Sequence, residues 1–73
     1  MSILAQNLKK YREKAGMTQE ELANKLEVER TLLSKYEKGH LDPTTARLSE
    51  LADIFGTTTD ALLGRSSYIN GEV

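Results

Sequence analysis

The sequence predicts an all-α fold of five short helices around one shared core, on three observations. Apolar residues recur at spacings of three and four, the period of helices with one buried face, and no segment reads as a strand. Helix-starting signals precede these stripes, above all the capping box Thr18-Gln19-Glu20-Glu21. Helix-ending glycines follow them, at Gly16, Gly39, Gly56 and Gly64.

The first helix is expected over Ile3–Lys14, with Leu4, Leu8, Tyr11 and Ala15 as its inner stripe. Thr18 and Glu21 then open a second helix that runs to about Leu26. A third spans Arg30–Glu37 and stops at Lys38-Gly39, where glycine adopts the left-handed conformation without a Cβ penalty. After the loop His40-Leu41-Asp42-Pro43, Asp42 suits an N-cap and Pro43 a first helical position, opening a fourth helix through Leu48, Leu51, Ala52 and Phe55. Thr57 or Thr58 caps a fifth, Thr59–Leu63, with Leu62 and Leu63 folding back on the core. The expected domain is 1–64. Residues 65–73 carry no helical stripe and are expected to form a flexible or partner-contacting tail, in which Tyr68 and Ile69 are the large apolar side chains besides Val73.

A chain of 73 residues makes one domain, near the lower limit for a core without cross-links. It has no cysteine, and the single His40 cannot build a zinc site, so packing has to hold it together and no metal or cofactor is expected. No apolar run approaches the roughly 20 residues that span a bilayer, and the start M-S-I-L-A-Q-N lacks the regions of a secretory signal, so a cytoplasmic location is expected. Catalysis finds no foothold: Ser34, Ser66 and Ser67 lack a local histidine arrangement and there is no glycine-rich phosphate loop. The net charge of −1 argues at first against a polyanionic partner. Its distribution softens the objection. Segment 1–18 carries Lys9, Lys10, Arg12 and Lys14 against Glu13, while segment 41–64 carries Arg47 against Asp42, Glu50, Asp53 and Asp60. The first group reads equally well as the solvent face of a helix or as a source of one phosphate contact.

The segment Gln19–Lys38 is the most informative. Leu22, Leu26, Val28, Leu33 and Tyr36 make two helical stripes that meet at a corner, with small Ala23 where the helices approach closely. These residues are core rather than a ligand pocket. Gln19, Arg30, Thr31, Ser34 and Lys35 are left facing outward, the form that places one helix in a DNA major groove.

Taken together, K-Y-R-E-K-A-G-M-T-Q-E-E-L-A, the Tyr36-Glu37-Lys38-Gly39 end of helix three, and D-P followed by L-A-D-I-F-G-T-T-T-D-A-L-L resemble the Cro/C1-type, or XRE-type, helix-turn-helix family over residues 3–64. The resemblance implies a compact five-helix, lambda-repressor-like DNA-binding domain whose third helix reads double-stranded DNA, usually as a two-fold dimer. Arg30, Thr31 and Lys35 match positions that usually reach base edges, with Glu29 and Ser34 flanking them. Cationic donors suit guanine O6 and N7, so a guanine-containing half-site is expected. Gln19 resembles the family's glutamine that donates to a phosphate and braces the recognition helix; Thr18 lies beside it at the same helix start. Lys38 and His40 sit where the family tends to contact phosphate, although a solvated loop histidine is the plainer reading of His40. Arg12 and Glu37 match a pair that often joins helices one and three while leaving guanidinium donors near the DNA backbone.

Three positions depart from the family pattern. Glu27 stands where glycine is usual, which puts a Cβ-bearing residue at positive φ. Glu29 replaces the usual Ser, Thr or Asn cap, either as a solvated carboxylate favoured by the helix dipole or as an acceptor from cytosine N4. Leu32 occupies a commonly small, polar position. The resulting expectation is a dimeric, sequence-specific regulator on a palindromic operator. Repression is favoured over activation through RNA polymerase contact by the acidic face of helices four and five. Ile54 and Leu62 or Tyr68 are candidate dimer contacts. The rival is a protein-interaction or antitoxin-like module that uses Leu32, Ile54 and the tail to hold a regulatory partner.

Overall fold

The computed structural model describes residues 2–65, and in that span the chain forms α1 (Ile3–Lys14), α2 (Gln19–Leu26), α3 (Arg30–Lys38), α4 (Thr45–Phe55) and α5 (Thr59–Leu62). No strand occurs among the described residues. The expectations for Tyr68 and the rest of 66–73 lie outside them.

Helices of four to twelve residues are marginal alone, so their ends carry much of the local definition. Ser2, Thr18, Thr44 and Thr58 each accept a backbone N–H on the side-chain oxygen. At Thr18 the box is reciprocal: Thr18 Oγ1 accepts from the Glu21 amide at 3.1 Å, and the Thr18 amide donates to Glu21 Oε1 at 2.8 Å. The expected cap at Asp42 with Pro43 inside the helix is corrected. Thr44 is the cap, its Oγ1 accepting from the Arg47 amide at 3.1 Å, and α4 starts at Thr45. The later start leaves the Leu48, Leu51 and Ala52 stripe on the core and brings the Arg47 side chain over the end of α2, where its Nη1 donates to the Leu26 carbonyl at 3.2 Å. That bond satisfies one of the orphan carbonyls at a helix terminus.

The five fully buried leucines, Leu8, Leu22, Leu33, Leu51 and Leu62, come one from each helix. Each contributes about 1.5 to 3 kcal/mol relative to exposure. The inner stripe of α1 differs from expectation. Ala5, Leu8 and Arg12 are buried, Leu4 and Tyr11 lie at its margin, and Ala15 is exposed at the C-cap. A charged residue that ends a buried stripe is invisible to hydrophobic periodicity. Tyr11 and Phe55 stack with ring centroids 5.6 Å apart, joining α1 to α4. Asn7 Nδ2 donates to the Leu62 carbonyl at 3.0 Å and closes α5 onto α1.

Between α2 and α3 the chain turns through Glu27, Val28 and Glu29. Glu27 sits at φ 62°, ψ 43°, the left-handed conformation expected of it, and is the non-glycine residue at positive φ among those described. The Val28 amide donates back to the Ala23 carbonyl at 3.0 Å, closing a Schellman turn. Glycine does the same at the end of α3, where Gly39 has φ 75° and the His40 amide reaches the Lys35 carbonyl at 2.9 Å. Glu27→Gly removes the Cβ strain but adds freedom to the unfolded chain, and is expected to stabilise the domain by about 0.5 to 1 kcal/mol. Urea titration checks this, with no change in helicity.

Candidate nucleic-acid interface

α3 packs its inner face against α1 and α2 and turns its outer face to solvent. Leu33, Tyr36 and Glu37 are buried, while Arg30, Thr31, Lys35 and Lys38 are exposed and Ser34 is half-buried. A shallow groove of about 330 Å³ is lined by Arg30, Thr31, Ser34, Lys35, Lys38 and His40, so it brings together six of the residues singled out from sequence. Glu29 is exposed at the N-cap of α3 with no side-chain capping bond, in keeping with a solvated carboxylate. Lys38 also borders a second groove of about 470 Å³, which runs along α1 past Lys9, Lys10, Gln19 and Glu37. Lys9 and Lys10 of α1 thus share a groove with Lys38 of α3, beside the carboxylates of Glu13 and Glu37.

The orientation of α3 is held from within. Arg12 and Glu37 form a buried ion pair, 9% and 4% exposed. Arg12 Nε donates to Glu37 Oε2 at 2.7 Å and Nη2 to Oε1 at 3.2 Å, a two-pronged contact that fixes direction as well as distance. Arg12 Nη1 donates to the Met17 carbonyl at 2.8 Å. Three of the five Arg12 guanidinium N–H groups are thus engaged by the chain's own oxygens, which gives Arg12 the structural role expected of it first. The hydrogen bond to Glu37, with the negative charges of Glu37 and Glu13, holds the Arg12 pKa above its ordinary value against the opposing effect of burial. A raised cation pKa contributes stability below the unfolded value and loses it only as pH rises through the folded one, so Arg12 stays charged into the strongly alkaline range.

Gln19 extends this pair outward. Its Nε2 donates to Glu37 Oε1 at 3.1 Å, and its Oε1 accepts from Arg30 Nη1 at 3.3 Å. Sequence reasoning singled out all four residues, paired Arg12 with Glu37 and expected Gln19 to brace the recognition helix, without naming Glu37 and Arg30 as its partners. The Gln19 bridge comes from the angle between helices, and no spacing signals it. Arg47, which ties α4 to the end of α2 and pairs with Glu50 at 2.9 Å, was counted only as a charge.

Two candidate subunit contacts change standing. Leu62 is fully buried, and Ile54 is half-buried against the core rather than exposed. Leu32 is likewise half-buried on the core. Leu32 and Ile54, the described apolar residues assigned to a partner surface, are thus partly committed to the domain's own packing. Leu41, in the loop after α3, is 47% exposed.

The packed pair of α2 and α3 joined by a left-handed turn, with α3's polar face outward, defines a helix-turn-helix unit. Residues 8–62 match the family model described as helix-turn-helix, and the chain belongs to that family, in its Cro/C1 or XRE form. The chain is 44% identical over 62 residues to the HTH-type transcriptional regulator ImmR of Bacillus subtilis strain 168, covering 85% of this chain and 49% of that protein. It is 36% identical over 61 residues to the SPbeta prophage-derived uncharacterized HTH-type transcriptional regulator YonR of the same organism, covering 84% and 56%. The chain spans about half the length of these curated relatives. No helix among the described residues is long and apolar enough to cross a membrane.

Glu37→Ala leaves Arg12 charged and unpaired in the interior, and is expected to destabilise the domain by about 3 to 5 kcal/mol. The double replacement Arg12→Met, Glu37→Met is expected to lose less, because neither charge is then buried alone. Thermal unfolding followed by circular dichroism compares the two.

Proposed function

We propose that this chain is the sequence-specific, double-stranded DNA-binding part of a cytoplasmic transcriptional regulator that docks α3 in the major groove. The observation that carries the reading is the two-faced character of α3. Leu33, Tyr36 and Glu37 anchor one side while Arg30, Thr31, Lys35 and Lys38 occupy the other. Both relatives named above are HTH-type transcriptional regulators, which supports the same reading.

In this reading Arg30 and Lys35 donate to guanine O6 and N7, and Thr31 meets a thymine methyl or hydrogen-bonds a base edge. Ser34 and Glu29 flank them, Glu29 as an acceptor for cytosine N4. Lys38, His40, Thr18 and Gln19 contact phosphates and set register rather than sequence. Thr18 Oγ1 already accepts from the Glu21 amide, which leaves the hydroxyl proton for a phosphate oxygen. A two-fold dimer on a palindromic operator, with half-sites about one helical turn apart, fits the family's docking geometry, and repression by occlusion of the promoter is the simplest outcome. The protein-interaction alternative is less well supported, because Leu32 and Ile54 are half-buried against the core.

Selection from a randomised duplex pool, read by fluorescence anisotropy at several salt concentrations, tests this function. Salt-sensitive enrichment of a palindrome is the expected result, and absence of enrichment at low salt overturns it. On the selected site, Lys35→Ala is expected to relax discrimination at one base pair by about 1 to 3 kcal/mol. Lys38→Ala is expected instead to weaken all sequences alike and to lower the salt slope by about 1.

A further inference from the structure

We propose that docking of α3 on DNA takes up a proton at His40, so that affinity for the duplex rises as pH falls through the range in which imidazole changes charge. The inference rests on the DNA-binding reading above and adds to it a pH dependence carried by one residue of the phosphate-facing groove.

Imidazole is the side chain that ordinarily gains or loses its charge between about pH 5 and 8. This sequence has one, at His40, and no cysteine thiol to act beside it. Its placement follows from the way α3 ends. Gly39 takes left-handed backbone at φ 75° and the His40 amide donates to the Lys35 carbonyl at 2.9 Å, so the chain folds back against the helix it has just left. His40 stays exposed, yet it lines the groove on the outer face of α3 beside Arg30, Lys35 and Lys38.

The charges that line this groove with His40 are all of one sign. Every other lining residue belongs to α3: Arg30, Lys35 and Lys38 are cations, Thr31 and Ser34 are neutral, and no other element contributes to the groove. The acidic residues nearest in sequence are placed elsewhere. Glu37 is buried and gripped by Arg12, and Asp42 does not line the groove. In the free protein an imidazolium therefore meets no carboxylate there, whereas a docked duplex brings phosphates whose charge persists across the whole range. An anion favours the charged ring over the neutral one, so docking and protonation strengthen each other. The added affinity is present at low pH and is lost as the ring gives up its proton. Lysine and arginine stay charged throughout and cannot supply such a dependence. Because a phosphate contact carries no base identity, the effect scales all sequences alike.

The test measures fluorescence anisotropy of a labelled mixed-sequence duplex with the whole chain at low salt, at about pH 6 and about pH 8. Wild type, His40→Gln and His40→Lys are compared, and both variants retain the backbone amide that closes α3. The wild type is expected to bind about two- to tenfold more tightly at the lower pH, with a salt slope steeper there by up to about 1, as for one further cation on a phosphate. Each variant is expected to bind equally at the two pH values, glutamine because it is always neutral and lysine because it is always charged. Calorimetry in two buffers of different ionisation heat is expected to show net proton uptake on binding by the wild type and none by either variant. Salt-sensitive binding by the wild type that is equal at both pH values, or a pH effect that survives in His40→Gln, overturns the proposal and leaves the DNA-binding reading in place. A wild-type chain that binds no duplex at low salt at either pH overturns that reading, and the proton uptake with it.

Discussion

Burying a charge pair constrains this molecule more than it stabilises it. Taking a guanidinium and a carboxylate out of water costs several kcal/mol per ion, and their attraction offsets that cost only in good geometry with the remaining polar atoms satisfied. Arg12 and Glu37 meet the condition, with two bonds between them and further bonds to Met17 and Gln19. Apolar side chains of similar volume could fill the same space, but they would tolerate a rotation of α3 about its axis. The directional contact does not. What the outer face of α3 can present to a ligand depends on this restriction.

The second constraint is the corner between α2 and α3. Two helices of eight and nine residues are too short to be stable alone, so their relative angle is set by what packs beneath them and by the turn that joins them. Leu22, Ala23 and Leu26 on one side and Leu33 and Tyr36 on the other bury into a common core. Glu27 accepts left-handed backbone to make the corner, a conformation that glycine would reach at lower cost. Arg47 reinforces the same end of α2 from α4. The corner is thus supported from three directions.

Charge is arranged to match. A net charge of −1 gives little general attraction to a polyanion, yet Arg30, Lys35, Lys38 and His40 border one groove, and Lys9, Lys10 and Lys38 border the adjoining one together with Glu13 and Glu37. The acidic residues Asp42, Glu50, Asp53 and Asp60 are exposed on the α3–α4 loop, α4 and α5. The cations are thus least offset along the outer face of α3, whose groove is lined by no carboxylate.

By itself the sequence determined the number and order of helices, the Thr18 capping box, the glycine stops, the left-handed Glu27 and the pairing of Arg12 with Glu37. Each of these is either a local backbone preference or, for the pair, a match to a family pattern. Capping of α4 was misplaced because Asp-Pro and Thr-Thr are both good local starts, and only the fit of Leu48, Leu51 and Ala52 to the core chooses between them. Leu62 folds back on the core as its sequence position predicted, while Ile54, taken from the sequence as a dimer-contact candidate, is half-buried because it lies beside the inner stripe of Leu51 and Ala52 on α4. The Gln19 link between Glu37 and Arg30, and the enclosure of Arg12, were decided by tertiary structure alone. They join residues far apart in sequence whose distance exists only once α1, α2 and α3 have packed at their mutual angles.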